Sequence, residues 1–429
     1  MAIKTRRFFS NTKNCSCCMP GVWRAMQYCE GAVIVFHSPK ACAHVARTMD
    51  INAFYGTLAA GKKETRQTIP LLSSQLEETH AIFGGIERLR QCIDFALSKF
   101  KPECLVVANS CVAGVIGDDV ASLVSEIESE YGLPVLTVDC CGFLDGEYYQ
   151  GYYEITQQLV DRFLKACPTV ADTVLLLGDN GGPWGDYAQE VTRLLNAMKL
   201  KVIGQFPTYM AFKDIPIAAS AETIIVLGGL GQTGEGFIPI AKKMAAKFNM
   251  KYLAGVYPVG WAQTEEWIVK TGELTGRKEL AQKVLDAERL RLWQKAESLH
   301  KVTANKKTVL SIGRYLSYFD PSAVFATIKR LKLDLKGVIL LDAYDANERE
   351  KMRRAVERCC DAPIYSTAEG EPLLKASELL LTTHPLQGVG IKQLFLPMTP
   401  LVGTKGELDF MEGIYRCLCS RLKGGLYYV

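Results

Sequence analysis

A chain of 429 residues with 48% hydrophobic and 22% charged side chains is too long for one ordinary core and too apolar for disorder, so two or three domains are expected. Its 50 Lys and Arg against 46 Asp and Glu leave a formal charge of +4 with no basic tract, which removes the electrostatic case for a nucleic-acid partner. No apolar run reaches the roughly 18 residues of a membrane span, and the basic opening Met1–Ser10 lacks the apolar stretch and cleavage site of a signal peptide, so no membrane association and a cytoplasmic location with reduced thiols are expected.

Short apolar, β-branched runs alternate with amphipathic stretches along the chain. In order, the pattern predicts a strand at Ala32–Phe36, a helix at Gly84–Phe100, a strand at Cys104–Ala108, a helix at Asp119–Tyr131 and a strand at Val135–Val138. A second series follows: strand Val174–Leu177, helix Tyr187–Met198, strand Thr223–Leu227 and helix Ile238–Phe248. A long charged helix from Arg277 to His300 leads to strands Thr308–Ile312 and Gly337–Leu341. Near-continuous apolar strands separated by helices predict an α/β fold of three Rossmann-like, doubly wound parallel-sheet domains. Their expected spans are 1–168, 169–303 and 304–429, with the segment from about 400 to 429 expected to pack on the first.

Two glycine-rich turns invite a nucleotide reading. Gly229-Leu-Gly231-Gln-Thr-Gly234 has the G-x-G-x-x-G spacing that aims backbone amides at a phosphate. The acidic ribose ligand expected about 20 residues on is missing, so a tight strand-to-helix turn is the plainer reading. Gly178-Asp-Asn-Gly-Gly-Pro-Trp184-Gly185 is a second such loop, and there is no G-x-x-x-x-G-K-[ST] phosphate loop for ATP hydrolysis.

Cysteine is the unusual residue: the chain has 15. Cys15, Cys17, Cys18, Cys29, Cys42, Cys92, Cys104 and Cys111 crowd the N-terminal region, and none lies between Cys167 and Cys359. Cys42 and Cys111 each follow the carboxyl end of an expected parallel strand, where α/β sheets bind ligands. A thiolate from the N-terminal loop would complete a three-sulfur face suited to an iron–sulfur cluster. Three thiolates from one chain leave the usual four-thiolate shell open, so a partner chain would close it. Cys15-x-x-Cys18 also has zinc-knuckle spacing, without a second pair to complete it. Free cysteines also serve as plain core residues. Composition and spacing leave cluster, zinc and buried thiols open.

Four segments in order resemble the nitrogenase component-1 superfamily, which includes nitrogenase subunits, cofactor-assembly scaffolds, light-independent protochlorophyllide reductase, nickel-sirohydrochlorin cyclase and methylthio-alkane reductase. Cys17-Cys-Met-Pro-Gly21 is similar to the first C-x-x-x-G cluster cysteine. His37-Ser-Pro-Lys-Ala-Cys42 resembles H-G-P-x-x-C, with Ser38 in place of the glycine. Glu77-Glu-Thr-His-Ala-Ile-Phe83-Gly84-Gly85 resembles E-x-x-x-x-F-G-G, and Ser110-Cys111-Val-Ala-Gly-Val-Ile-Gly117-Asp118-Asp119 the third cysteine with its I-G-D-D tail. Weaker likeness runs through Cys140-Cys-Gly-Phe143 and Tyr257–Thr264.

The resemblance implies that Cys17, Cys42 and Cys111 bind an iron–sulfur cluster, 4Fe-4S or larger and P-cluster-like, shared with a sister component-1 subunit in a heterotetramer or homodimer. Cys17 is chosen because it stands 4 residues before Gly21 and 25 before Cys42, with its neighbours Cys15 and Cys18 as further candidates. Gly84 and Gly85 are implied where backbone closely approaches the cofactor, while Asp118 and Asp119 read as helix caps and His37 as a strand-end structural residue. The remaining ten cysteines read as structural, with Cys359, Cys360, Cys417 and Cys419 expected on helices. A second partner, an ATP-dependent iron-protein-like reductase carrying a 4Fe-4S cluster, is implied to supply low-potential electrons. The function implied is electron relay in a nitrogenase-like reductase, or a scaffold for cofactor assembly. The chain departs from catalytic subunits in two places: the middle-domain cofactor cysteine is replaced by the Gly229–Gly234 turn, and no histidine follows His384. Either the partner then carries the active site, with a second complex metal cofactor, or a substrate or unusual cofactor sits in this chain's cavity without those ligands.

Overall fold

Every side chain of the strands Ala32–His37 (β1) and Cys104–Ser110 (β3) is buried, as happens when apolar layers cover both faces of a sheet. The computed structural model describes residues 17–48, 67–140, 148–178, 186–228, 234–313, 321–341, 346–384, 386–387, 389–396, 402–421 and 426–428. Within them the chain forms three parallel sheets. The first runs β2 (Leu71–Ser73), β1, β3, β4 (Val135–Cys140). The second runs β6 (Lys201–Phe206), β5 (Val170–Leu177), β7 (Ala221–Val226), β8 (Lys251–Leu253). The third runs β11 (Ile364–Ser366), β10 (Asp334–Leu340), β9 (Lys307–Ile312), β12 (Leu379–Thr382), β13 (Lys392–Phe395), β14 (Leu426–Tyr428). The architecture is the α/β, three-sheet arrangement expected from the strand pattern.

The first sheet is doubly wound. Val33, Val35, Leu105 and Val107 point to helices α4 (Ile86–Phe100) and α6 (Val120–Tyr131). Ile34, Phe36, Val106 and Ala108 point the other way, to α1 (Met19–Met26) and α7 (Tyr148–Arg162). That second core continues into Leu175, Leu177, Ile224 and Val226 of the middle sheet, so the first two units share one apolar layer.

The C-terminal segment corrects an expectation. Helix α15 (Gly403–Cys419) does not pack back on the first domain; it lies against α8 (Asp186–Ala197), α10 (Gly260–Leu274) and α11 (Lys278–Thr303), and β14 extends the third sheet. Its Phe410, Met411 and Ile414 share a core with Leu292 and Leu299 of α11, and this apolar stripe decides where the helix lies. A charged link reinforces it. Arg193 on α8 donates to Glu190 and to Glu288 on α11, each at 2.7 Å. The other oxygen of buried Glu190 accepts the Lys405 amide at the start of α15 at 3.0 Å. Arg193→Met leaves buried Glu190 without its cation and Glu288 with only Arg291, 3.8 Å away, and is expected to cost about 3 kcal/mol in urea unfolding. Lys251→Ala, which breaks the exposed pair with Glu222, should cost less than about 1 kcal/mol. No helix among the described residues is long and apolar enough to cross a membrane.

Candidate metal centre

The strand order of the first sheet reverses between β1 and β3. At such a switch point the following loops leave on opposite faces and open a crevice at the carboxyl edge. Helix α5 (Cys111–Ile116) begins directly after β3, so Cys111 stands at one side of the crevice. On the other side, Ser38 and Pro39 follow β1, a helical segment over 40–48 (α2) begins, and Cys42 sits in its first turn. Both thiols are half-buried. Burial pushes the Cys42 thiol up, an effect opposed by the Ser38 hydroxyl facing it and reinforced by the nearby Cys111 thiol. The residue that departs from the glycine of H-G-P-x-x-C therefore faces the cysteine of that same motif.

Cys17 stands two residues before α1 and is half-buried, whereas Cys18, the residue directly before the helix, is fully buried in the core shared with the middle unit. Cys18 accepts a hydrogen bond from Cys140, the last residue of β4, which holds Cys18 below the ordinary thiol range and Cys140 above it. Cys17 also acts on Cys140 electrostatically. Cys15 lies outside the described residues. Gly21 explains the C-x-x-x-G spacing: a Cβ there would stand 1.8 Å from the Tyr148 carbonyl oxygen, and one on Gly151 would stand 2.4 Å from the Cys18 carbonyl oxygen. Two glycines thus let α1 and α7 cross backbone to backbone, which places the cysteines at the start of α1.

The double-glycine turn is also a close approach, but to a side chain. Asp118 accepts the Gly85 amide at 2.8 Å, and the Gly84 amide bonds to the His80 carbonyl at 2.9 Å, so both amides are satisfied within the chain. A Cβ on Gly85 would lie 2.3 Å from Leu76 and 2.8 Å from Asp118, and Gly84 has φ +83°. Asp118 is therefore not the helix cap expected of it. Its other partner is His37, whose Nε2 lies 2.9 Å from Asp118 Oδ2. Asp119 does cap α6, accepting the Ser122 amide at 3.0 Å. The His37 ring is buried, and burial lowers its pKa.

Sequence reasoning missed the Cys140 partnership and the role of Asp118. Neither has a local signature, because their partners lie 122 and 81 residues away. Elsewhere, Cys29 is raised to about 12 by burial, as befits an inert core thiol. Cys417 and Cys419 lie on α15, but Cys359 and Cys360 fall in the turn after helix Ala346–Glu357 rather than on it. The 229–233 part of the glycine-rich turn lies outside the described residues. Gly228 before it is held by Tyr187, whose hydroxyl accepts the Gly228 amide at 3.2 Å.

Among the described residues, no three His, Cys, Asp or Glu side chains converge on one metal position. A single zinc ion needs its ligands about 2.3 Å from one point. Thiols spread around a crevice suit a group with several metal atoms, and soft sulfur donors are the ligands such iron–sulfur groups take. Half-buried Cys17, Cys42 and Cys111 are donors of the soft kind that such a group would take.

Fold and site together define a three-unit α/β chain that presents half-buried thiols at the carboxyl edge of its first sheet. Residues 17–367 match the family model for nitrogenase component 1 type oxidoreductases, and the chain belongs to that family. It is 28% identical over 273 residues, 61% of its length, to the nitrogenase iron-molybdenum cofactor biosynthesis protein NifE of Clostridium pasteurianum, and the match spans just over half, 56%, of that relative. The NifE of Methanosarcina barkeri is 24% identical, covering 85% of this chain and 77% of that one. The nitrogenase iron-iron protein beta chain of Rhodobacter capsulatus is 26% identical, covering 71% and 69%. In three dimensions the chain resembles nitrogenase Cp1, with a TM-score of 0.65 over 97% of this chain and 91% of that one at 15% identity, a likeness of fold.

Proposed function

We propose that this chain is an iron–sulfur subunit of a nitrogenase-like reductase. The observation that carries the reading is the placement of Cys42 and Cys111 on either side of the switch-point crevice, with Cys17 at the start of α1 as the third donor. When bound, an iron–sulfur cluster supplies one-electron storage at low potential. The chain's own residues hold it: three thiolates from this subunit, the shell being closed by a sister subunit. Burial around Cys42 limits water, and the Ser38 hydroxyl offsets part of the charge on its sulfur. Ile82, Phe83 and Val115, exposed by 78%, 86% and 82%, form an apolar surface where helix His80–Phe83 (α3) packs on α5, beside Cys111. This surface is suited to an ATP-dependent iron-protein-like reductase that delivers electrons close to the cluster.

The NifE relatives favour a second reading, a scaffold that holds a cofactor during assembly. Anaerobic purification with iron and sulfide analysis tests the shared element: iron and acid-labile sulfide are expected together, and a chain without either overturns both readings. Sustained substrate turnover with the ATP-dependent reductase is expected of the relay subunit. An iron-loaded complex that is never turned over supports the scaffold instead.

A further inference from the structure

Four loops at the carboxyl edge of the first sheet meet in one buried hydrogen-bond chain. The Ser38 amide donates to Ser74 Oγ at 3.2 Å, and Ser74 Oγ lies 2.9 Å from His37 Nδ1. His37 Nε2 lies 2.9 Å from Asp118 Oδ2, and the Gly85 amide donates to Asp118 Oδ1 at 2.8 Å. One set of protons satisfies every group: Ser74 donates to Nδ1, and Nε2–H donates to Asp118 Oδ2. The side chains of His37 and Asp118 are 0% and 4% exposed.

This chain joins the two cysteine loops. Ser38 opens the loop that carries Cys42, four residues on. Asp118 follows the short helix that begins at Cys111 and is tied back to it, since the Asp118 and Gly117 amides both bond to the Ala113 carbonyl. The Ala113 amide in turn bonds to Ser110 Oγ at 3.3 Å. An apolar pair of similar volume would fill the same space without the cost of burying a carboxylate. What it would lack is direction, and these polar contacts fix the separation of two loops on opposite sides of a crevice.

We propose that His37 and Asp118 are positioning residues that clamp the Cys42 loop to the Cys111 loop and set the distance between the two thiols. The proposal rests on the reading of those thiols as cluster ligands, so its test includes a readout that needs no metal. Asp118→Ala removes the clamp. Asp118→Asn keeps an acceptor for the Gly85 amide and a donor for His37 in its other tautomer, and so serves as the conservative rescue.

In metal-free protein, Cys42 and Cys111 are joined with a flexible bis-maleimide and the linked peptides are quantified by mass spectrometry. In anaerobically loaded protein, iron release to a chelator and the electron paramagnetic resonance spectrum are recorded. Folded Asp118→Ala is expected to give a several-fold lower cross-link yield, iron release about tenfold faster and shifted g-values, with Asp118→Asn close to the parent. Parent-like cross-linking and spectra in folded Asp118→Ala overturn the clamp. If the parent binds no iron but the cross-link still falls in Asp118→Ala alone, the cluster reading fails and the clamp stands. Should Asp118→Ala not fold, His37→Phe removes the bond between the two loops while the Gly85 amide still donates to Asp118. A reduced cross-link yield there supports the clamp, and a parent-like yield overturns it.

Discussion

Cys42→Ala is expected to remove most of the bound iron while leaving the fold intact, and Cys18→Ala is expected to do the reverse. The two thiols lie in different surroundings. Cys42 is half-buried at the crevice, where the nearby Cys111 thiol acts on it electrostatically. Its loss opens the thiolate face and takes away little packing. Cys18 is 1% exposed and bonded to Cys140 inside the core between the first two units. Its replacement leaves a small cavity and an unpaired thiol, a loss of about 1–2 kcal/mol, with iron content retained. Iron per chain and urea unfolding, measured on both variants, separate the roles. Retained iron in Cys42→Ala together with lost iron in Cys18→Ala would reassign the ligand.

Gly21→Ala should be the most damaging single-methyl change in the N-terminal unit. The added carbon meets a backbone oxygen at 1.8 Å, and a carbonyl within a helix cannot swing aside as a flexible side chain does. Helices α1 and α7 have to separate, taking Cys18 away from Cys140 and shifting Cys17 at the head of α1. Overpacking of this kind costs about 3 kcal/mol or more, and bound iron should fall with it. Gly390→Ala is the control. No atom lies within 4 Å of a Cβ there, so its effect should stay within about 0.5 kcal/mol. Equal stabilities of the two variants in urea would show that the crossing is looser than the contact implies.

Both contrasts turn on neighbours that a linear reading does not supply. From the residues alone, the β-branched apolar runs Ala32–Phe36, Cys104–Ala108 and Thr308–Ile312 announced strands buried on both faces, because covered parallel strands have no solvent side to mark with polar residues. Those runs, separated by helices, were enough for the α/β class and three sheets. The crowding of cysteines before residue 112 and the four ordered motifs were enough for the family. The strands left unread include β2, β11 and β14, three residues each, which are too short to display a period.

What the sequence determined by itself was therefore everything carried by local pattern: strand and helix character, the crowding of cysteines, and the motif order. The tertiary structure alone decided the rest. The order β2-β1-β3-β4 set Cys42 and Cys111 on either side of one crevice. The apolar stripe of α15 settled it among α8, α10 and α11 rather than on the first domain. Asp118, one of two adjacent aspartates with the same local setting, was drawn to His37 and Gly85 while Asp119 took the helix cap. The physical reason is common to all three. Each outcome depends on which surfaces meet after collapse, and a hydrogen bond across 81 residues leaves no periodicity in the chain that makes it.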